Sequence, residues 1–168
     1  MDIFTEQLTK KPLKKVDYIL FFAVIAFIIL EVLLSAFVLN FGIFSLFIVA
    51  ISIYFGAKLI ISRFVEFEYV VTNGNVTIDK VIAKKSRKNM VSFELLDVYE
   101  FFKYKKDVKL PKLGKIYDLQ TTGEAWCACF SDSKLGKVGV IFSPNEKTLE
   151  AIKPFLKRQV AIDAFGRN

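Results

Sequence analysis

Between Tyr18 and Ile61 the chain carries only two formally charged residues, Glu31 and Lys58, and a stretch that long and that apolar has few stable homes in water. It divides around Asn40 and Gly42 into two runs, at about 17–39 and 41–62, each close to the ~20 residues that cross a bilayer as a helix. Neither run has a polar face, which argues against a buried helical pair in a soluble protein. The first run is longer than the apolar core of a signal peptide, and no small-x-small cleavage site follows it. The joint around Asn40 is too short for anything but an antiparallel hairpin, and it holds no Lys or Arg. Lys10, Lys11, Lys14 and Lys15 precede the first run, while Lys58 and Arg63 flank the end of the second. The positive-inside rule then predicts a multi-pass protein of the cell membrane with both termini cytoplasmic.

Glu31 is the residue in this segment that needs a reason. It lies about nine residues from the expected tip, on the order of 13 Å at 1.5 Å per residue, and Lys58 sits roughly 12 Å further along the axis. That separation makes the two poor ion-pair partners. A carboxyl at that depth is expected to be protonated, to meet a hydroxyl such as Ser52 or Ser35, or to sit at a contact between subunits. One carboxyl without a chain of partners makes no proton relay, so packing is the better reading.

Past residue 62 the composition turns to an ordinary alternation of polar and apolar residues, which sets the expected domains: an N-terminal basic segment with the hairpin over 1–62, and a cytoplasmic β domain over 63–168. The second part is long enough for one core without disulfides or metals. Of the net charge of +7, residues 63–168 hold +6, nineteen Lys or Arg against thirteen acids. Beside a bilayer such an excess favours anionic lipid headgroups. No helix-turn-helix, zinc or RNA-binding motif accompanies it, so no nucleic-acid partner is expected.

Within that domain Phe67–Thr72 and Asn75–Ile82 alternate with period two around Asn73-Gly74, the pair that a type I′ hairpin turn requires. Further strands are predicted over 89–93, 97–104, 116–121, 125–131 and 137–142, about seven in all, with Lys105–Lys115 as a basic loop. Ser143-Pro144-Asn145-Glu146 then reads as a helix start, with Ser143 as cap and Glu146 closing a capping box. The helix places Leu149, Ile152 and Leu156 on one face, and Pro154 is expected to kink or end it.

Seven strands followed by one amphipathic helix, together with Phe67-Glu68-Tyr69-Val70-Val71-Thr72-Asn73-Gly74, the segment Thr77–Lys85 and Phe142-Ser143-Pro144-Asn145-Glu146-Lys147, resembles bacterial membrane proteins with a pleckstrin-homology-like domain. In particular it resembles a family of two-span proteins from Gram-positive bacteria. The resemblance implies an α+β membrane protein: a two-helix hairpin, then a PH-like β-barrel or sandwich with a C-terminal capping helix. It implies no reaction and no ligand.

Chemistry leaves little trace. The chain has no His, which removes Ser-His-Asp and Cys-His constellations and the HExxH zinc site. It has no phosphate-binding glycine loop of the common kinds. We therefore expect no enzyme, no catalytic residue, no cofactor and no metal. Cys127 and Cys129 fall on one face of a strand and read as small buried residues of a reducing compartment. Trp126 fits either core or rim. The candidate lipid- or partner-binding residues are Lys84, Lys85, Arg87 and Lys88 in one cluster and Lys105 and Lys106 in a second group that also holds Lys103, Lys109, Lys112 and Lys115, with Glu31 as the intramembrane polar residue. These point to a membrane-anchored binding or scaffold module engaging a protein partner, its own copies or anionic headgroups. A small oligomeric transporter or channel subunit using Glu31 is the rival.

Overall fold

The computed structural model describes residues 2–37, 42–105 and 111–166. The bend at Asn40, the candidate Lys106 and its neighbour Lys109 lie outside the described residues. The chain forms two compact units, residues 12–65 and residues 1–11 with 66–168.

The first unit is a pair of helices, α1 (Lys15–Phe37) and α2 (Gly42–Ile61). Both are long and apolar enough to cross a membrane, and their apolar faces are unburied. They meet through small and polar residues, as close-packed apolar helices do. A Cβ on Gly56 would stand 2.8 Å from Cγ1 of Val24, so only glycine allows this approach. Ser52, one turn earlier on α2, donates its hydroxyl to Oε1 of Glu31 at 3.0 Å. At the other end Arg63 pairs with Asp17 at 3.8 Å, and Phe64 stacks on Phe21.

The second unit holds two four-stranded sheets. The first runs in the order β1 (Phe4–Lys10), β2 (Val65–Thr72), β3 (Asn75–Ile82), β4 (Ser86–Glu94). The second runs β5 (Val98–Tyr104), β7 (Ala125–Asp132), β8 (Gly136–Phe142), β6 (Lys115–Asp118), with β6 parallel to β8. Aromatic contacts join the inner faces: Phe93 of the first sheet stacks on Phe130 of the second at 4.7 Å, and Tyr69 meets Phe142 edge-on at 5.6 Å. Burial of such rings is the main stabilising term of a core this size.

The predicted strands all have counterparts, and Asn73 and Gly74 both take positive φ, 46° and 90°, as the type I′ turn demands. Three details differ. Among the described residues there are eight strands, because β1 precedes the hairpin and pairs antiparallel with β2 from Phe4↔Thr72 to Lys10↔Glu66. The expected division into 1–62 and 63–168 is therefore corrected: residues 1–11 belong with the β unit, and the helical pair is an insertion between its first two strands. Phe-Thr-Glu-Gln-Leu-Thr-Lys alternates weakly, and the lysines that follow it read as the flank of a span. Second, β6 is shorter than expected, ending at Asp118.

Third, the cap of α3 (Glu146–Ile152) is Asn145, whose Oδ1 accepts from the Thr148 N–H at 2.8 Å. Such a cap stabilises a helix by about 1 kcal/mol. Ser143 is unavailable, since its Oγ accepts from the Thr121 N–H at 3.1 Å. The helix is interrupted where Pro154 is expected to interrupt it. At Pro154 it passes into a 3-10 turn (Lys153–Phe155) and resumes as α4 (Arg158–Phe165). Phe165 of α4 stacks on Trp126, which in turn lies on Phe101, so Trp126 is core.

Gln7 ties β1 to the start of α3. Its Nε2 donates to the Ser143 carbonyl at 3.0 Å, and its Oε1 accepts from the Asn145 N–H and the Thr148 hydroxyl at 2.8 and 2.9 Å. Beside it the Thr9 and Thr121 hydroxyls share a hydrogen bond, and the fully buried Tyr69 donates its hydroxyl to the Leu119 carbonyl at 2.7 Å. Every polar side chain in this seam has a partner, which a buried polar network requires if it is to stabilise.

Candidate functional site: the basic tip of the β3–β4 hairpin

β3 and β4 pair antiparallel up to Ile82↔Ser86, leaving Ala83, Lys84 and Lys85 as the turn. The Lys85 N–H closes it on the Ile82 carbonyl at 3.0 Å. Ala83 and Lys84 both sit at positive φ, 51° and 58°, a conformation that costs an L-residue roughly 1–2 kcal/mol. No glycine relieves it, and the surrounding ladder holds it in place. Strain of this kind gathers where geometry serves binding.

Below the turn, Lys80 stands directly opposite Lys88. Like charges in that position lie about 5 Å apart at Cβ and repel. Lys84, Lys85 and Lys88 are exposed at the hairpin end, and Lys80 is half-buried. Lys80 completes the group, although it sits in a strand that the sequence marks only by its alternation. Cross-strand register is the signal that finds it, and register needs the turn length to be known.

Arg87 behaves differently. Its Nη2 lies 2.7 and 2.8 Å from the two carboxyl oxygens of Glu68, which is 3% exposed. Burial pushes the Glu68 carboxyl above its ordinary value, a hydrogen bond with Glu6 adds to this, and Arg87 opposes it. Arg87 is thus committed to the wall of the first sheet, and the four-residue cluster of the sequence separates into three tip lysines and one structural arginine. Asn89, which donates to Asp79 at 2.9 Å, holds the strand just beyond a register shift between Ile78 and Asp79.

The second cluster is not a comparable patch among the described residues. Lys103 pairs with Glu124, Lys115 lies over the Tyr117 ring at 4.6 Å, and Lys105 is exposed just past β5. Glu31 meets Ser52, one of the two hydroxyls expected, while Ser35 donates to the Val32 carbonyl of its own helix.

Cys127 and Cys129 are free and fully buried, with Sγ atoms 3.8 Å apart. Their hydrogen bond and burial push the Cys127 thiol up. They pack with Ala125 and Ile141 under Tyr99, Phe102, Tyr104 and Leu113. Among the described residues no group of three or more His, Cys, Asp or Glu is placed to hold a metal ion.

The strand order and the C-terminal helix agree with a comparison against known families: the model described as Bacterial PH-like domain (DUF6106) matches residues 1–162. That match includes β1 and the helical insertion as well as the sheets. No curated protein and no solved structure matches the chain. The chain belongs to the bacterial PH-like domain family DUF6106.

Proposed function

We propose that this chain is a membrane-anchored, non-enzymatic binding module, in which α1 and α2 span the cell membrane with both termini cytoplasmic and the PH-like unit binds anionic headgroups through the β3–β4 tip. PH-like domains in general serve as binding or scaffold modules, which sets the class. One observation carries the ligand: Lys80, Lys84, Lys85 and Lys88 converge on one hairpin end, with two of them opposed and the turn between them strained. An anion offsets repulsion that the protein itself leaves standing, at about 1 kcal/mol per well-placed lysine beside an anionic surface.

The test needs a soluble form of the β unit, and the register supplies one. Lys10 and Glu66 are cross-strand neighbours, so residues 1–11 joined to 66–168 through a short Asn-Gly turn keep all eight strands. This form is expected to bind vesicles rich in phosphatidylserine and to release them as salt rises. Lys80, Lys84, Lys85 and Lys88 changed together to Ala should abolish binding, whereas Lys105→Ala should change it little. Equal binding by both variants would remove the lipid reading and leave a protein partner.

The rival reading, a transporter or channel subunit, rests on Glu31 alone. The Ser52–Glu31 bond within one hairpin supports a packing role instead. Unaltered ion flux through liposomes carrying Glu31→Gln is the expected result.

A further inference from the structure

The two sheets have four edge strands, and three are unsuited to pairing with another chain. β4 carries a register shift and the charges Arg87 and Lys88, β5 is covered by α4, and β6 has only four residues. Short strands, bulges and charge are the ordinary means of blunting an edge. β1 differs from all three. It is seven residues long, contains no Pro, pairs with β2 without a register shift, and among the described residues pairs with no strand on its other side.

Its two faces differ. Gln7 and Thr9 point inward, to Ser143 and Thr121, and Thr5 on the same face is buried, while Phe4 and Leu8 on the other face are 64% and 55% exposed beside Glu6 and Lys10. We infer that β1 pairs antiparallel with β1 of a second copy of this chain, centred on Leu8, so that Glu6 of each copy faces Lys10 of the other.

The sequence of the strand selects this register. In a two-fold antiparallel pair, opposed residues share a face, so the centre must fall on a residue. Centred on Glu6, two carboxylates oppose each other. Centred on Gln7, Glu6 faces Leu8 and Phe4 faces Lys10, mixing charged with apolar side chains. Centred on Thr9, Leu8 faces Lys10. Only the centre at Leu8 sets Leu8 on Leu8 and makes two Glu6–Lys10 pairs. On the neighbouring strand the buried acids Glu66 and Glu68 stand opposite Lys10 and Leu8, so the partner's lysine arrives where acid is in excess. This deepens the binding-module reading by naming one partner, and it makes no use of the basic tip.

Disulfide trapping in the full chain tests it. Cys127 and Cys129 are fully buried and leave an introduced thiol as the reactive one. In native membranes, Leu8→Cys should give a covalent dimer on mild oxidation. Phe4→Cys, exposed on the same face, should not, because the two introduced thiols would then be roughly 27 Å apart at 3.4 Å per residue. In the Leu8→Cys background, Glu6→Lys or Lys10→Glu should cut the trapped dimer about tenfold, since each reversed cross-strand pair turns from attraction to repulsion. The double swap Glu6→Lys/Lys10→Glu should restore it. Equal trapping by Phe4→Cys, no trapping by Leu8→Cys, or no restoration by the double swap would overturn the inference. Vesicle binding of the soluble form is read separately, so either reading can fall while the other stands.

Discussion

In the helical pair the contacts among the described residues include Ser52 on Glu31, Gly56 against Val24, Arg63 beside Asp17 and Phe64 on Phe21, and each joins the two helices or their ends. In the β unit they are many and distant in sequence: Gln7 reaches Ser143, 136 positions away, and Tyr69 reaches Leu119, 50 away. The contrast follows from what each part must satisfy. A helix closes its backbone hydrogen bonds within itself, so it needs its neighbour only for packing. A strand closes them only on other strands, so the β unit depends on a segment the chain makes before it enters the helical pair.

That contrast can be broken most severely at β1. A chain beginning at residue 63 lacks the strand that covers β2 and the Gln7 seam, and we expect it not to fold cooperatively, a loss on the order of the whole ~5–15 kcal/mol of a typical domain. The linked form with residues 1–11 restored should unfold in one sharp step, and calorimetry distinguishes the two. In the same unit, Tyr69→Phe leaves the Leu119 carbonyl without its buried donor and should cost about 1–3 kcal/mol, read from the denaturant midpoint.

In the helical pair the corresponding effects should be smaller. Gly56→Leu forces the helices apart at Val24 and should cost about 1–3 kcal/mol of packing, whereas Ser52→Ala removes one hydrogen bond worth about 0.6 kcal/mol. Steric trapping in detergent or bilayer measures both. An effect of Ser52→Ala as large as that of Tyr69→Phe would erase the contrast.

The smallest effect concerns pH. Glu68 holds its proton more tightly in the folded chain than in the unfolded one. Stability should therefore be lowest above the raised value and grow as pH falls through it toward the ordinary 4.5. Glu68→Gln should flatten that slope in urea titrations of the linked form.

Much of the fold was legible because local rules suffice for it. Asn73-Gly74 dictates its turn, Pro154 interrupts its helix, and Tyr18–Ile61 can scarcely be anything but two apolar helices. The candidate site was legible only in outline. Lys84, Lys85 and Lys88 stand out as a cluster, but Arg87 looks the same as they do until its partner Glu68, on another strand, is known. Lys80 is missed for the converse reason, since only the β3–β4 register sets it opposite Lys88. Ala83 gives no sign of its left-handed backbone, because nothing in an alanine favours it.

What is short-range can be read from the residues alone: apolar length, charge flanks, turn residues and strand periodicity, each set by interactions among residues a few positions apart. Tertiary structure decided that β1 completes the first sheet, that Asn145 rather than Ser143 caps α3, and which basic residue is tied down. Those outcomes turn on competition among distant groups for a limited number of partners, and such competition is settled only when the chain has closed on itself.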